Sequence, residues 1–167
     1  MTRTVLALGS NLGDRLGQLQ GGLEALLTGP GLAATAVSGV YETRPVGGPE
    51  QPDYLNAVLV ADTTLAPVAL LHRCQQVEAA FHRVRQEAWG PRTLDVDIIV
   101  YGDVVSDDPE LTLPHPRAAQ RAFVLAPWLD ADPAAVLPGH GPAAQLLERA
   151  GRSGIRRRDD LALRLPA

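Results

Sequence analysis

Trp89-Gly90-Pro91-Arg92-Thr93-Leu94-Asp95-Val96-Asp97-Ile98-Ile99-Val100-Tyr101 decides how this chain is read. Gly90-Pro91 breaks regular structure, and the residues after it alternate as a strand does. With a period of two, Asp95, Asp97, Ile99 and Tyr101 share one face and Leu94, Val96, Ile98 and Val100 the other. The second face is apolar and reads as core, so the two carboxylates project side by side from the first. Two ionised carboxylates that close repel unless a cation or a shared proton relieves them. A hard divalent cation such as Mg²⁺ takes one or two carboxylates together with substrate phosphates. A polar strand face in water is the plain alternative. Arg92, just upstream, favours the phosphate reading, because a guanidinium forks onto phosphate oxygens.

Working outward, the 167 residues suit a single domain, 1–167, with a sizeable core. No apolar run is long enough to span a bilayer, and Met1-Thr2-Arg3-Thr4-Val5 lacks the pattern of a signal peptide. Cys74 is the one cysteine; it has no internal disulfide partner, so a reducing cytoplasm is expected. It lies in a helical pattern, as a small buried hydrophobe would. The net charge of −4 argues against nucleic-acid binding. All fifteen basic residues are arginine. Without lysine there is neither a P-loop of the usual kind nor Schiff-base chemistry.

The elements expected upstream are a strand over Arg3–Gly9, buried on both faces, and a helix over Arg15–Leu27 capped by Asp14 or Ser10. A strand over Ala34–Thr43 comes next, then a Pro/Gly-rich loop over Pro45–Pro52 and a strand over Tyr54–Thr63. Asn56 interrupts that last strand and requires hydrogen-bond partners. A second helix begins at Ala66-Pro67 and runs to about Val84, with Leu70, Leu71, Cys74, Val77 and Phe81 on its apolar stripe. Downstream of Tyr101, a short strand at Val104-Val105, a helix over Ala118–Leu129, a loop over Pro133–Pro142 and a helix over Ala143–Ala150 are expected. Arg156-Arg157-Arg158-Asp159-Asp160 reads as a solvated tail. The order β-α-β-β-α-β gives an α+β fold, a ferredoxin-like split βαβ core.

The chemistry-bearing residues form two sets. Trp89, Phe123, Tyr54 and Asn56 suit a flat heteroaromatic ligand, with rings for its faces and an amide for its edge. Asp95, Asp97, Arg83, Arg85, Arg92, His115 and Arg121 suit a metal-bound polyphosphate. Each has a plain alternative: core packing for the rings, a turn cap for His115, surface charge for the arginines.

Five blocks arrive in a recognisable order: Leu6-Ala7-Leu8-Gly9-Ser10-Asn11-Leu12-Gly13-Asp14, Tyr41-Glu42-Thr43-Arg44-Pro45, Gln51-Pro52-Asp53-Tyr54-Leu55-Asn56-Ala57, Trp89 to Ile98, and Leu113-Pro114-His115-Pro116. Together they resemble the 6-hydroxymethyl-7,8-dihydropterin pyrophosphokinases of folate biosynthesis. The resemblance implies one αβα domain, an antiparallel sheet flanked by helices, that moves diphosphate from ATP to the pterin's hydroxymethyl oxygen and releases AMP. It implies that Asp95 and Asp97 hold two Mg²⁺ ions on the ATP phosphates. It puts Thr43, Pro45, Val46, Tyr54, Asn56, Trp89 and Phe123 at the pterin, and Gln75, Glu78, Arg92, Ile98, Thr112, His115 and Arg121 at ATP. It further implies that Arg83 and Arg85 belong to a loop that closes over the nucleotide during catalysis. A monomer is expected, with no membrane or nucleic-acid partner. Arg44, Gln86, Glu110 and Pro116 depart from the family pattern and bear on ATP affinity and loop closure. A ligand sensor without turnover, or a metal-dependent phosphohydrolase, remains an alternative at this point.

Overall fold

The computed structural model describes residues 1–45, 50–81 and 93–166. In chain order these form β1 (Thr2–Ser10), α1 (Arg15–Leu27), β2 (Leu32–Val37), β3 (Tyr41–Thr43), β4 (Tyr54–Thr63), α2 (Pro67–Phe81) and β5 (Asp95–Tyr101). A 3₁₀ turn (Ala118–Gln120) then precedes α3 (Ala122–Ala131), β6 (Val136–Leu137), β7 (Gly141–Pro142), α4 (Ala143–Ala150) and β8 (Ile155–Arg157). The main sheet runs β5-β1-β4-β3-β8, with β2 also on β4, and every pairing is antiparallel. Counting β2 and β3 as two pieces of one strand position, this is the strand order of a split βαβ, as expected.

The sheet is covered on both faces. Leu6 and Leu8 of β1 pack toward α1 and α2, where Leu19, Leu23, Leu26, Leu70, Cys74 and Val77 complete one apolar layer. Val5, Val58, Val60 and Ile99 pack toward α3 and α4 with Val124, Leu125, Trp128 and Leu146. Each fully buried aliphatic side chain contributes about 1.5–3 kcal/mol, so these two layers dominate the stability of the sandwich. Asp14 caps α1, its Oδ1 accepting from Gly17 N–H at 3.0 Å.

The structure differs from the sequence reading in six places. The strand expected over Ala34–Thr43 is two strands. Ser38 interrupts it, its Oγ accepting from Val58 N–H at 2.8 Å in place of a regular ladder. The helix expected over Ala118–Leu129 opens as a 3₁₀ turn and becomes α-helical only from Ala122. Val104-Val105 is not a strand; Val105 is 72% exposed, and the bridge nearby joins Ser106 to Leu113. The Pro133–Pro142 loop contains the small β6–β7 hairpin. Arg156–Arg158 is solvated, as expected, but is not a free tail: Arg156 and Arg157 lie in β8, which adds a strand to β3, and the arginines find carboxylate partners.

The sixth difference lies in β5. Val5 pairs with Val100 but Leu6 pairs with Ile98, so Ile99 is an extra residue, a β-bulge. Past it the faces exchange. Val100 joins Ile99 in the α3/α4 layer, and Tyr101 packs on the α1/α2 layer. The aspartates precede the bulge and keep the face that alternation assigns them.

Candidate active site

The cleft follows from which rows of the sheet carry small residues. On the α3 face, β1 offers Ala7 and Gly9, flanked in register by Asp97 and Asp95 on β5 and by Val58 and Asn56 on β4. With no bulk on the central strand, the end of the sheet is a trough of about 570 Å³. Asp95 and Asp97 line one side of it, and Thr43, Pro45, Tyr54 and Asn56 the other. His115, Arg121 and Phe123 descend from the segment that crosses this face.

Each wall is fixed by hydrogen bonds. Buried Thr43 donates its hydroxyl to Asn56 Oδ1 at 2.6 Å, which meets the requirement for a partner and leaves the Asn56 amino group as a donor. His115 N–H donates to Ile99 O at 2.9 Å, tying the histidine to the aspartate strand. Its Nδ1 accepts from Arg117 N–H at 3.2 Å, so the neutral ring carries its proton on Nε2. Burial and then the charges of Arg121 and Arg117 hold the imidazole pKa below its ordinary value, against the opposing pull of Asp97. Burial also lowers Arg121, which Asp97 and Asp95 partly restore; it remains a cation, 5.3 Å from the centre of the Phe123 ring.

The trough thus gathers nine of the sequence-selected residues: Thr43, Pro45, Tyr54, Asn56, Asp95, Asp97, His115, Arg121 and Phe123. Gln75, Glu78, Ile98 and Thr112 do not line it. Gln75 is exposed on α2. Glu78 accepts from Val96 N–H at 2.9 Å along the outer edge of β5. The Ile98 side chain is buried in the α1/α2 layer. The Thr112 hydroxyl donates to Asp108 O at 3.1 Å. Val46, Arg83, Arg85, Trp89 and Arg92 lie outside the described residues. Ala7, Gly9, Arg44, Gln51 and Arg117 line the trough without having been selected. Gly9 had a signal: in Val5-Leu6-Ala7-Leu8-Gly9 the odd positions shrink toward the strand's end, which marks where a face opens.

Among the described residues no cluster of three or more His, Cys, Asp or Glu could hold a metal unaided. The donor set is two carboxylates beside a cationic wall. It fits a hard cation that takes its remaining oxygens from phosphates and water, and does not fit a closed structural metal site.

A sequence profile of the 7,8-dihydro-6-hydroxymethylpterin-pyrophosphokinase family matches residues 5–133. The chain is 46% identical to a 2-amino-4-hydroxy-6-hydroxymethyldihydropteridine pyrophosphokinase of Mycobacterium tuberculosis, over 93% of this chain and 89% of that one. It is 41% identical to the protein of the same name from Methylorubrum extorquens, over 94% and 99%. In fold it is similar to an HPPK-DHPS crystal structure from Plasmodium falciparum, with a TM-score of 0.69 at 13% identity. That superposition covers 93% of this chain, which spans about half (47%) of the Plasmodium chain. With most of its length matched by the profile and close to half its residues shared with such relatives, the chain belongs to the 7,8-dihydro-6-hydroxymethylpterin-pyrophosphokinase family.

Proposed function

We infer that the chain is an ATP-dependent pyrophosphokinase of folate biosynthesis, transferring diphosphate from ATP to 6-hydroxymethyl-7,8-dihydropterin with release of AMP. One observation carries this reading for the chain itself. A carboxylate pair and a buried amide face each other across a single trough, with a cationic wall beside them. Such an arrangement holds a charged donor and a flat acceptor in one volume, and transfer between phosphate oxygens depends mainly on positioning and charge neutralisation.

The acceptor side is Thr43, Pro45, Tyr54, Asn56 and Phe123, joined by Val46 and Trp89. The Thr43 bond turns the Asn56 amino group toward the ligand, so it selects an acceptor atom on the ring edge. Phe123 and Tyr54 supply apolar surface for the ring faces. The donor side is Asp95, Asp97, His115 and Arg121, joined by Arg92 and by Arg83 and Arg85 as closing residues. His115 offers Nε2–H, and Arg121 offers its guanidinium, to phosphate oxygens. Ile98 reaches a nucleotide through its backbone. Val96 N–H turns to Glu78, away from β1, and with period two the backbone of Ile98 faces the same open edge. Gln75, Glu78 and Thr112 complete the proposed nucleotide contacts from that edge.

Asp95 and Asp97 would hold two Mg²⁺ ions, which when bound neutralise phosphate charge and lower the pKa of the hydroxymethyl group. The donor set supports this: two carboxylates with no third carboxylate or imidazole clustered among the described residues leave coordination to the triphosphate and water. We also propose one domain acting as a monomer in the cytoplasm. No helix among the described residues is long and apolar enough to cross a membrane.

The test is direct. Purified protein with ATP, Mg²⁺ and hydroxymethyl-dihydropterin should form AMP and pterin diphosphate one for one. ADP as the product, or AMP formed equally without pterin, overturns the reading.

A further inference from the structure

The short strand β3 carries Thr43 and yet is only three residues long, paired with β4 through Tyr41, Glu42 and Thr43. A ladder that short holds position weakly by itself. Three other elements grip it. On the α1 side, Glu42 Oε2 accepts from Arg15 Nη1 at 2.7 Å, and the same nitrogen donates to Asp53 O at 2.9 Å. Arg15 thereby spans both ends of the loop between β3 and β4. Asn11 reinforces it, donating to Gln51 Oε1 at 2.8 Å and Pro52 O at 2.9 Å. On the α3 side, the Tyr41 hydroxyl donates to Asp130 at 2.9 Å, and Arg157 donates to the same Asp130 oxygen at 2.7 Å.

Along the outer edge, β8 pairs Ile155 with Thr43 and Arg156 with Glu42, and Arg44 N–H donates to Gly154 O at 3.0 Å. Glu42 Oε1 then takes Arg156 and, at 3.4 Å, Arg158. Both oxygens of one carboxylate are therefore engaged, by α1 on one side and by the chain's last strand on the other. The Glu42 side chain is only 15% exposed, so solvent weakens this network less than an open surface pair. β8 lies beyond residues 5–133, the stretch the family profile matches.

We propose that Glu42 is a positioning residue for the pterin side of the trough, clamped between Arg15 and the pair Arg156 and Arg158 so that Thr43 holds Asn56 in its ligand-reading orientation. The assignment of that side to pterin rests on the function inferred above. The carboxylate touches no substrate; it acts through its chain neighbour Thr43 and through the carbonyl of Asp53.

Glu42→Gln, Arg15→Gln and Arg156→Ala test it in the full-length protein. KM for the pterin should rise about five- to tenfold in Glu42→Gln and less in Arg156→Ala, with kcat and KM for ATP within about twofold of wild type. The Glu42→Gln/Arg15→Gln pair should add little to the larger single effect. Amide hydrogen exchange should quicken over residues 41–56 and stay unchanged over 95–101. Equal losses for ATP and pterin, or unchanged pterin KM with unchanged exchange, overturn the proposal. Arg156 is exposed, so its variant keeps the test sound if Glu42→Gln folds poorly. A wild-type protein without pterin-dependent AMP overturns the functional reading instead, and hydrogen exchange then decides the clamp independently.

Discussion

Asp95 and Asn56 stand on one row of the sheet, each paired in register with Gly9, which lies between them. Their backbones are thus two strand spacings apart, about 10 Å, and the Asn56 amide reaches in over the glycine between them. Gly9 keeps that space clear. A Cβ there would sit 2.9 Å from Asn56 Nδ2 and 3.4 Å from Tyr54 Cδ1. Gly9→Ala should displace the amide and weaken pterin binding about tenfold, the loss of roughly one hydrogen bond, with ATP binding little altered. Titration calorimetry with each substrate separately checks it.

The carboxylate pair is expected to matter for rate and not for folding. Asp97 is partly buried near the start of β5, a strand whose apolar neighbours do the packing. Asp97→Asn should lower kcat about a thousandfold or more, since several kcal/mol of charge stabilisation depends on it. Thermal unfolding should move by less than about 4 °C. Near-normal turnover would remove Asp97 from the proposed metal site.

Thr43→Val keeps the shape of the side chain and removes the donor that fixes Asn56 Oδ1. The amide is then free to turn, and its carbonyl edge meets ring acceptors unfavourably. Pterin KM should rise about five- to tenfold, while Thr43→Ser retains most of the affinity. Steady-state kinetics on the two variants distinguish the hydroxyl from the methyl.

Acid stability should report the Glu42 network. Hydrogen bonding from Arg15, opposed by burial and aided by Arg156, holds the Glu42 pKa below the ordinary glutamate value. A carboxylate whose pKa is depressed on folding stabilises the fold fully above its unfolded pKa, and that contribution is lost as pH falls through the folded pKa. Wild type should therefore lose thermal stability more steeply than Glu42→Gln below about pH 4.5. Calorimetric melts at stepped pH would show the two curves converging in acid; parallel curves would contradict it.

Cys74 is 1% exposed, and burial, with Glu78 and Asp97 nearby, pushes its thiol pKa up to about 12. It should resist a chromogenic disulfide reagent in the native protein and react fully in denaturant. Rapid native labelling would mean that α2 opens readily.

These residues also show where sequence is a sufficient guide. The Asp95/Asp97 face and the demand for a partner at Asn56 were legible because period-two alternation and buried-amide chemistry are local rules. The break between β2 and β3 was not. It depends on Ser38 meeting Val58, twenty residues away; Ser38-Gly39 is a local break signal, but nothing in the pair names that distant partner. β8 was illegible for a different reason. Ile155-Arg156-Arg157 offers little apolar surface, and its pairing depends on Glu42 and Asp130, which are distant in the chain. The placement of His115 and Arg121 over the sheet likewise comes from the crossing segment after β5, where no periodicity guides the reading.

The bulge at Ile99 has an evolutionary corollary. Removing that one residue would leave Asp95, Asp97, Ile98, Val100 and Tyr101 each on its present face in a strictly alternating strand, so facing alone does not explain why the extra residue exists. What a shortened strand would forfeit is the Ile99 carbonyl that receives His115 N–H. The insertion is thus a mooring: one surplus peptide unit fastens the histidine segment to the aspartate strand and fixes the spacing between the two.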